Sequence, residues 1–123
     1  MAENDALWKW MKTLIGYVRS GRPDLTNRQM ALLLIVYRTN GPHTVRGLAG
    51  MLGVSKPVVT RALNTLSALG YLRRERDEKD RRNIFITRTQ SGADFLEGFS
   101  GLIGGDTGRS PPPGQQFAGL AHG

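Results

Sequence analysis

The stretch TVRGLAGMLGVSKPVVTRALNTLSALG, residues 44–70, decides the fold. Thr44 suits a helix N-cap, and Val45, Leu48, Ala49 and Leu52 then follow at the i, i+3, i+4, i+7 spacing of one helical face. Gly53 ends that short helix. The turn Gly53-Val54-Ser55 leads into a second helix predicted over Ser55–Leu69, with Ser55 as N-cap and Pro57 in the first turn, where a missing N–H is no loss. Val59, Ala62, Leu63, Leu66 and Leu69 form its inward stripe, leaving Lys56, Pro57, Thr60, Arg61 and Asn64 outward. Gly70 suits the left-handed position that closes a helix. Two helices joined by so short a turn make a helix-turn-helix.

Working outward, YLRRERDEKDRRNIFITR, residues 71–88, follows at once. It predicts a strand over Tyr71–Glu75, a charged turn over Arg76–Arg82 and a second strand over Asn83–Thr87, with Ile84 and Ile86 on one face. A basic hairpin straight after a helix-turn-helix is a wing. The expected fold class is therefore mainly α with a small β-hairpin, a winged helix-turn-helix.

Upstream, Thr26 with Gln29 reads as a capping box and Leu25 with Met30 as a hydrophobic staple, opening a helix that runs to Arg38 before the Asn40-Gly41-Pro42 stop. An earlier helix over Asp5–Val18 carries Leu7, Trp8, Met11, Leu14, Ile15 and Val18 on one face, with Trp10 and Tyr17 beside it. That is more apolar surface than one small domain needs, and two readings stay open: core packing, or a face covered by a second subunit. A last helix is expected over Gln90–Ile103, with Phe95, Leu96, Phe99, Leu102 and Ile103 as its apolar side and Gly92, Gly98 and Gly101 weakening it. From residue 104 the Gly- and Pro-rich composition predicts a flexible tail. The expected organisation is 1–22 as an N-terminal helix for dimerisation, 23–103 as the winged domain, and 104–123 as tail.

The chain has 123 residues, with 17 Lys and Arg against 10 Asp and Glu, a formal charge of +7. Between Arg46 and Arg88 ten cations face four carboxylates, so that stretch alone carries a net +6. Such a surface suits a polyanion. With no cysteine, disulfides and thiolate metal sites are excluded. The start, Met1-Ala-Glu-Asn-Asp5, is acidic where a signal peptide needs positive charge, and the longest apolar run, Met30–Tyr37, is far short of a bilayer span. A cytoplasmic, nucleoid-associated protein with no membrane partner is expected.

A helix presenting Lys56, Thr60, Arg61 and Asn64 has the width and the donors to read base edges in the major groove. Arg61 is the first choice for a base or phosphate contact, and Asn64 suits a bidentate pair with adenine. Thr44, Ser55 and Pro57, at the openings of the two helices, join the candidate DNA-contacting set. The wing adds Arg74, Arg76, Lys79, Arg81 and Arg82. Asp80 is expected to pair with Arg82 and stiffen the hairpin, leaving Lys79 or Arg81 at the tip for a minor groove or its phosphates.

From Leu25 to Gly92 the sequence resembles the MarR family of bacterial transcription regulators. The resemblance is carried most clearly by Gly70 to Gly92, and above all by the Asp-x-x-Asp-Arg-Arg wing, Asp77 to Arg82. It implies a homodimer on palindromic operators of double-stranded DNA, with the recognition helix in the major groove and a wing arginine in the minor groove. The family usually follows the wing with two long helices that build the dimer and help enclose a pocket for a small aromatic effector. This chain has one Gly-interrupted helix there, and Arg88 stands where the family usually has Leu. A dimer built on Leu7, Trp8, Met11, Leu14, Ile15 and Val18 of the first helix is the resulting expectation.

Catalysis needs convergent groups, yet the histidines are His43 and His122 alone, with no accompanying carboxylate pair or phosphate loop. His43 is read as filling a turn. No enzyme activity, metal or cofactor is expected. The leading function is a sequence-specific DNA-binding repressor. Two alternatives stay open: a winged-helix protein-interaction module docking on an acidic partner, and a replication or phage initiator module.

Overall fold

A computed structural model describes residues 5–104. The described elements are α1 (Ala6–Arg19), α2 (Asn27–Arg38), α3 (Val45–Leu52), α4 (Lys56–Ala68), β1 (Leu72–Arg76), β2 (Ile84–Arg88) and α5 (Gln90–Gly104). They fall into two units, residues 25–93 and residues 5–24 with 94–104. The tail expected from residue 104 lies, Gly104 apart, outside the described residues.

Local chemistry sets the ends of the helices. The Asp5 carboxylate accepts from the N–H groups of Leu7 and Trp8 and opens α1. Thr26 and Gln29 form a full capping box at α2, each side chain accepting from the other's backbone N–H. Thr44 Oγ1 accepts from Gly47 N–H at α3, which ends at Gly53 with φ 72°. Ser55 holds the N-cap position of α4, but its hydroxyl makes no capping bond. At the other end Gly70, at φ +80°, lets two N–H groups fold back: Gly70 onto Ser67 O and Tyr71 onto Leu66 O, both at 2.9 Å. This is the double closure that a left-handed glycine permits.

The two strands pair antiparallel, Leu72 opposite Arg88 through Arg76 opposite Ile84. Each starts one residue later than the sequence pattern predicts. The reason is that the Tyr71 N–H is spent closing α4 and the Asn83 N–H is spent on Asp80 O in the turn. On the outer side of β2, Ile86 N–H donates to His43 O at 2.8 Å, so the residue after the α2 stop adds a single bridge to the sheet.

The core of the 25–93 unit is built from Leu32, Leu33 and Val36 of α2, Leu48 of α3, Val59, Leu63 and Leu66 of α4, and Leu72 and Ile86 of the hairpin. Leu69, expected on the inward stripe, is 36% exposed, because it sits at the C-cap where the chain turns away. The Tyr37 hydroxyl ties the unit together, donating towards Tyr71 O and Thr89 O and accepting from Thr89 N–H. Arg88 donates from Nε to Val36 O and from Nη2 to Thr39 O, supplying donors to the otherwise open C-terminal carbonyls of α2.

In the second unit Tyr17 of α1 lies edge-on against Phe95 and Phe99 of α5, with ring centroids 6.1 and 5.3 Å away. The Arg22 guanidinium stacks over Phe95 at 4.9 Å. The span 23–103 expected for the winged domain thus includes α5 residues that pack with α1. The buried residues of α1 are Thr13 and Tyr17. Leu7, Trp8, Met11, Leu14, Ile15 and Val18 are all exposed, Leu7 at 75% and Val18 at 73%, so core packing among the described residues does not account for that face. Ile103 is likewise 50% exposed, outside the core its spacing suggested.

Candidate nucleic-acid interface

Helix α4 buries Val59, Ala62, Leu63 and Leu66 and so turns its other face to solvent. Ser55, Lys56, Pro57, Thr60, Arg61 and Asn64 are all exposed along it. Arg61 projects with no hydrogen-bond partner for its guanidinium among the described residues. Thr44 stands apart from this set: it is half-buried, and its hydroxyl is engaged as the α3 cap.

Asn64 is engaged too. Its Oδ1 accepts from Arg74 Nη2 at 2.6 Å, and the same nitrogen lies 3.4 Å from Thr60 O one turn earlier. The bidentate adenine pair expected of Asn64 needs that oxygen as an acceptor for the base. The sequence gives no sign of this contact, because Arg74 belongs to β1, ten residues away and across the α4 closure.

The wing cations divide by what they already hold. Asp80 grips Arg82 at both ends, Oδ1 accepting from Nε at 3.0 Å and Oδ2 from Nη2 at 3.2 Å, while Oδ1 also accepts the Arg82 backbone N–H at 3.1 Å. The Arg82 side-chain bonds, followed by its backbone N–H, hold the Asp80 carboxyl below the ordinary aspartate value. Arg76 Nη1 donates to Arg81 O across the hairpin, bracing its tip. Asp77 Oδ1 accepts from Lys79 N–H at 2.9 Å, an Asx turn that shapes the loop. Lys79 and Arg81 remain exposed, their charged ends without partners among the described residues. Arg73 is exposed on β1 as well, and strand alternation from Arg74 would have marked it as a cation on the opposite face. No helix of the described residues is long and apolar enough to cross a membrane.

A MarR family model matches residues 24–83, which spans the capped α2, the helix-turn-helix and the wing turn. The uncharacterized HTH-type transcriptional regulator YwhA of Bacillus subtilis (strain 168) is 29% identical over 92 residues, 75% of this chain and 66% of the relative. The chain belongs to the MarR family. Solved MarR-like structures share its winged helix-turn-helix fold. A mutant of MepR from S. aureus superposes with a TM-score of 0.66 at 25% identity, covering 77% of this chain and 67% of that one. A mutant MarR from E. coli, complexed with operator DNA, gives a TM-score of 0.60 at 27% identity over 68% of this chain and 59% of that one. This MarR-family chain thus spans between 59% and 67% of the length of these relatives.

Proposed function

We propose that the protein is a sequence-specific regulator of transcription that binds double-stranded DNA as a homodimer and represses from a palindromic operator, in the cytoplasm at the nucleoid. Helix α4 enters the major groove, and the β1–β2 hairpin follows the neighbouring minor groove. The observation that carries this reading is the pairing of an exposed polar face on α4, headed by Lys56 and Arg61, with the open cations Lys79 and Arg81 on a braced wing. The E. coli relative complexed with operator DNA supports it.

In this arrangement Arg61 reads a base edge or its adjoining phosphate, Lys56, Pro57, Thr60 and Ser55 line the groove wall, and Lys79 and Arg81 meet phosphates or the minor-groove floor. The wing arginines Arg76 and Arg82 act through the hairpin they brace, with Asp80 as the brace of Arg82. The exposed α1 face is the surface offered to the second subunit.

Base contacts and phosphate contacts differ in what their loss does. With an operator selected from random duplex DNA, Arg61→Ala is expected to cost about 1–3 kcal/mol and to relax preference at particular base pairs. Arg81→Ala is expected to weaken all sequences alike. Failure to enrich any sequence, or equal losses on operator and scrambled duplex for both variants, would contradict the reading.

A further inference from the structure

The contact between Arg74 and Asn64 fixes which atoms of α4 the groove meets. A guanidinium has donors only, so the atom of the Asn64 carboxamide turned towards it must be the oxygen. The 2.6 Å bond from Arg74 Nη2 therefore sets the orientation of the amide: Oδ1 faces the wing strand, and Nδ2 with its two N–H groups has no hydrogen-bond partner among the described residues. Thr60 O, 3.4 Å from the same nitrogen, adds a second acceptor one helical turn away on the same edge of α4. Arg74 is itself held in the ladder opposite Ile86, a buried residue, so the guanidinium is launched from a fixed backbone.

Resting on the DNA-binding reading above, we propose that Arg74 is a positioning residue that holds the oxygen of Asn64 and presents its amide N–H groups to the base, favouring guanine over adenine at one position of each half-site. Adenine presents an amino donor at N6 beside the N7 acceptor, and an Asn reads it with one donor and one acceptor. Guanine presents two acceptors, O6 and N7, and no donor on that edge. An Asn64 whose oxygen already accepts from a cation has one lone pair left with a guanidinium beside it, and so meets the second pattern more readily than the first. The charge reinforces the choice, since a guanidinium beside Oδ1 draws on its acceptor strength and repels the positive end of an approaching amino group. Both side chains are exposed and lie off the buried stripe of α4, so their replacement leaves the core intact.

The test is selection of bound sequences from random duplex DNA by the full chain and by Asn64→Leu and Arg74→Leu, with circular dichroism melts to confirm that each variant folds. The wild-type operator is expected to contain a guanine that Asn64→Leu no longer enriches, with a loss of about 5- to 150-fold on the best site. In Arg74→Leu that same position is expected to lose its guanine or change to adenine while the other positions keep their bases. A residue that only stiffens the wing, or only touches phosphate, would lower affinity without altering one column. The proposal is overturned if the column that depends on Asn64 is any base but guanine, if Asn64→Leu changes no column, or if the guanine persists in Arg74→Leu. Failure of the wild-type chain to enrich any sequence removes the DNA-binding reading itself and the proposal with it.

Discussion

Asp80 and Arg82 lie two residues apart in the wing turn, and their twin hydrogen bonds convert a flexible charged loop into a defined one. Because the bond to Arg82 stabilises the ionised form, the folded-state value of Asp80 lies below its unfolded value. Its contribution is present above the unfolded value and is lost as pH falls through the depressed one. An NMR titration of the side-chain carboxyl is expected to place its midpoint below that of an unperturbed aspartate, and Arg82→Ala is expected to raise it towards that value; a midpoint unmoved by that substitution would mean that the pair does not form in solution. This pair was legible in the sequence, since Asp80-Arg81-Arg82 is local and its chemistry needs no tertiary information. Gly92 was not. Its spacing suggests only a weak point in the last helix, yet a Cβ there would run into the Tyr37 hydroxyl and the Tyr71 carbonyl, and a backbone carbonyl cannot swing aside. Gly92→Ala is therefore expected to destabilise the fold by about 1–3 kcal/mol or more, read as a lower midpoint in urea unfolding. An unchanged midpoint would show that the Tyr37 knot has room to spare.

The elements were the most readable level, because caps and periodicity are local signals. Thr26 with Gln29, Thr44 and Gly70 mark helix ends in the sequence, and the structure uses each of them with the hydrogen bonds that their types imply. The strands were displaced by one residue because their first N–H groups are claimed by neighbouring turns, a competition that strand pattern alone does not encode. Helix α1 shows the limit of periodicity more sharply. Its apolar stripe and its buried side are different faces: Tyr17 and Thr13 are the residues it buries, while the stripe from Leu7 to Val18 stays in solvent. An exposed stripe with two tryptophans beside and within it is a large apolar patch for a monomer. Replacing Trp8 and Met11 together with Glu is expected to convert a dimer to a monomer in sedimentation velocity, with the helix content retained. A dimer of unchanged strength would place the interface elsewhere.

At the scale of the whole molecule, the charge is concentrated where the helix-turn-helix and wing lie, ten cations against four carboxylates between Arg46 and Arg88. How much of that charge is available to a partner could not be read from composition. All of these cations are exposed, but the guanidinium groups of Arg74, Arg76, Arg82 and Arg88 hold hydrogen-bond partners within the fold, whereas the charged ends of Lys56, Arg61, Arg73, Lys79 and Arg81 have none among the described residues. Tertiary contacts between residues far apart in the chain made this division, and they engage the Asn64 carboxamide while leaving the Arg61 guanidinium without a partner among the described residues. An exposed cationic face that meets phosphates displaces condensed counterions, and affinity then falls steeply with salt. The central claim is that this face binds duplex DNA, and the most direct measurement is the affinity of the full chain for a labelled operator duplex across a salt series. With several phosphate contacts, the dissociation constant is expected to rise on the order of a thousandfold between about 50 and 200 mM salt. A dissociation constant that stays level over that range would contradict the claim.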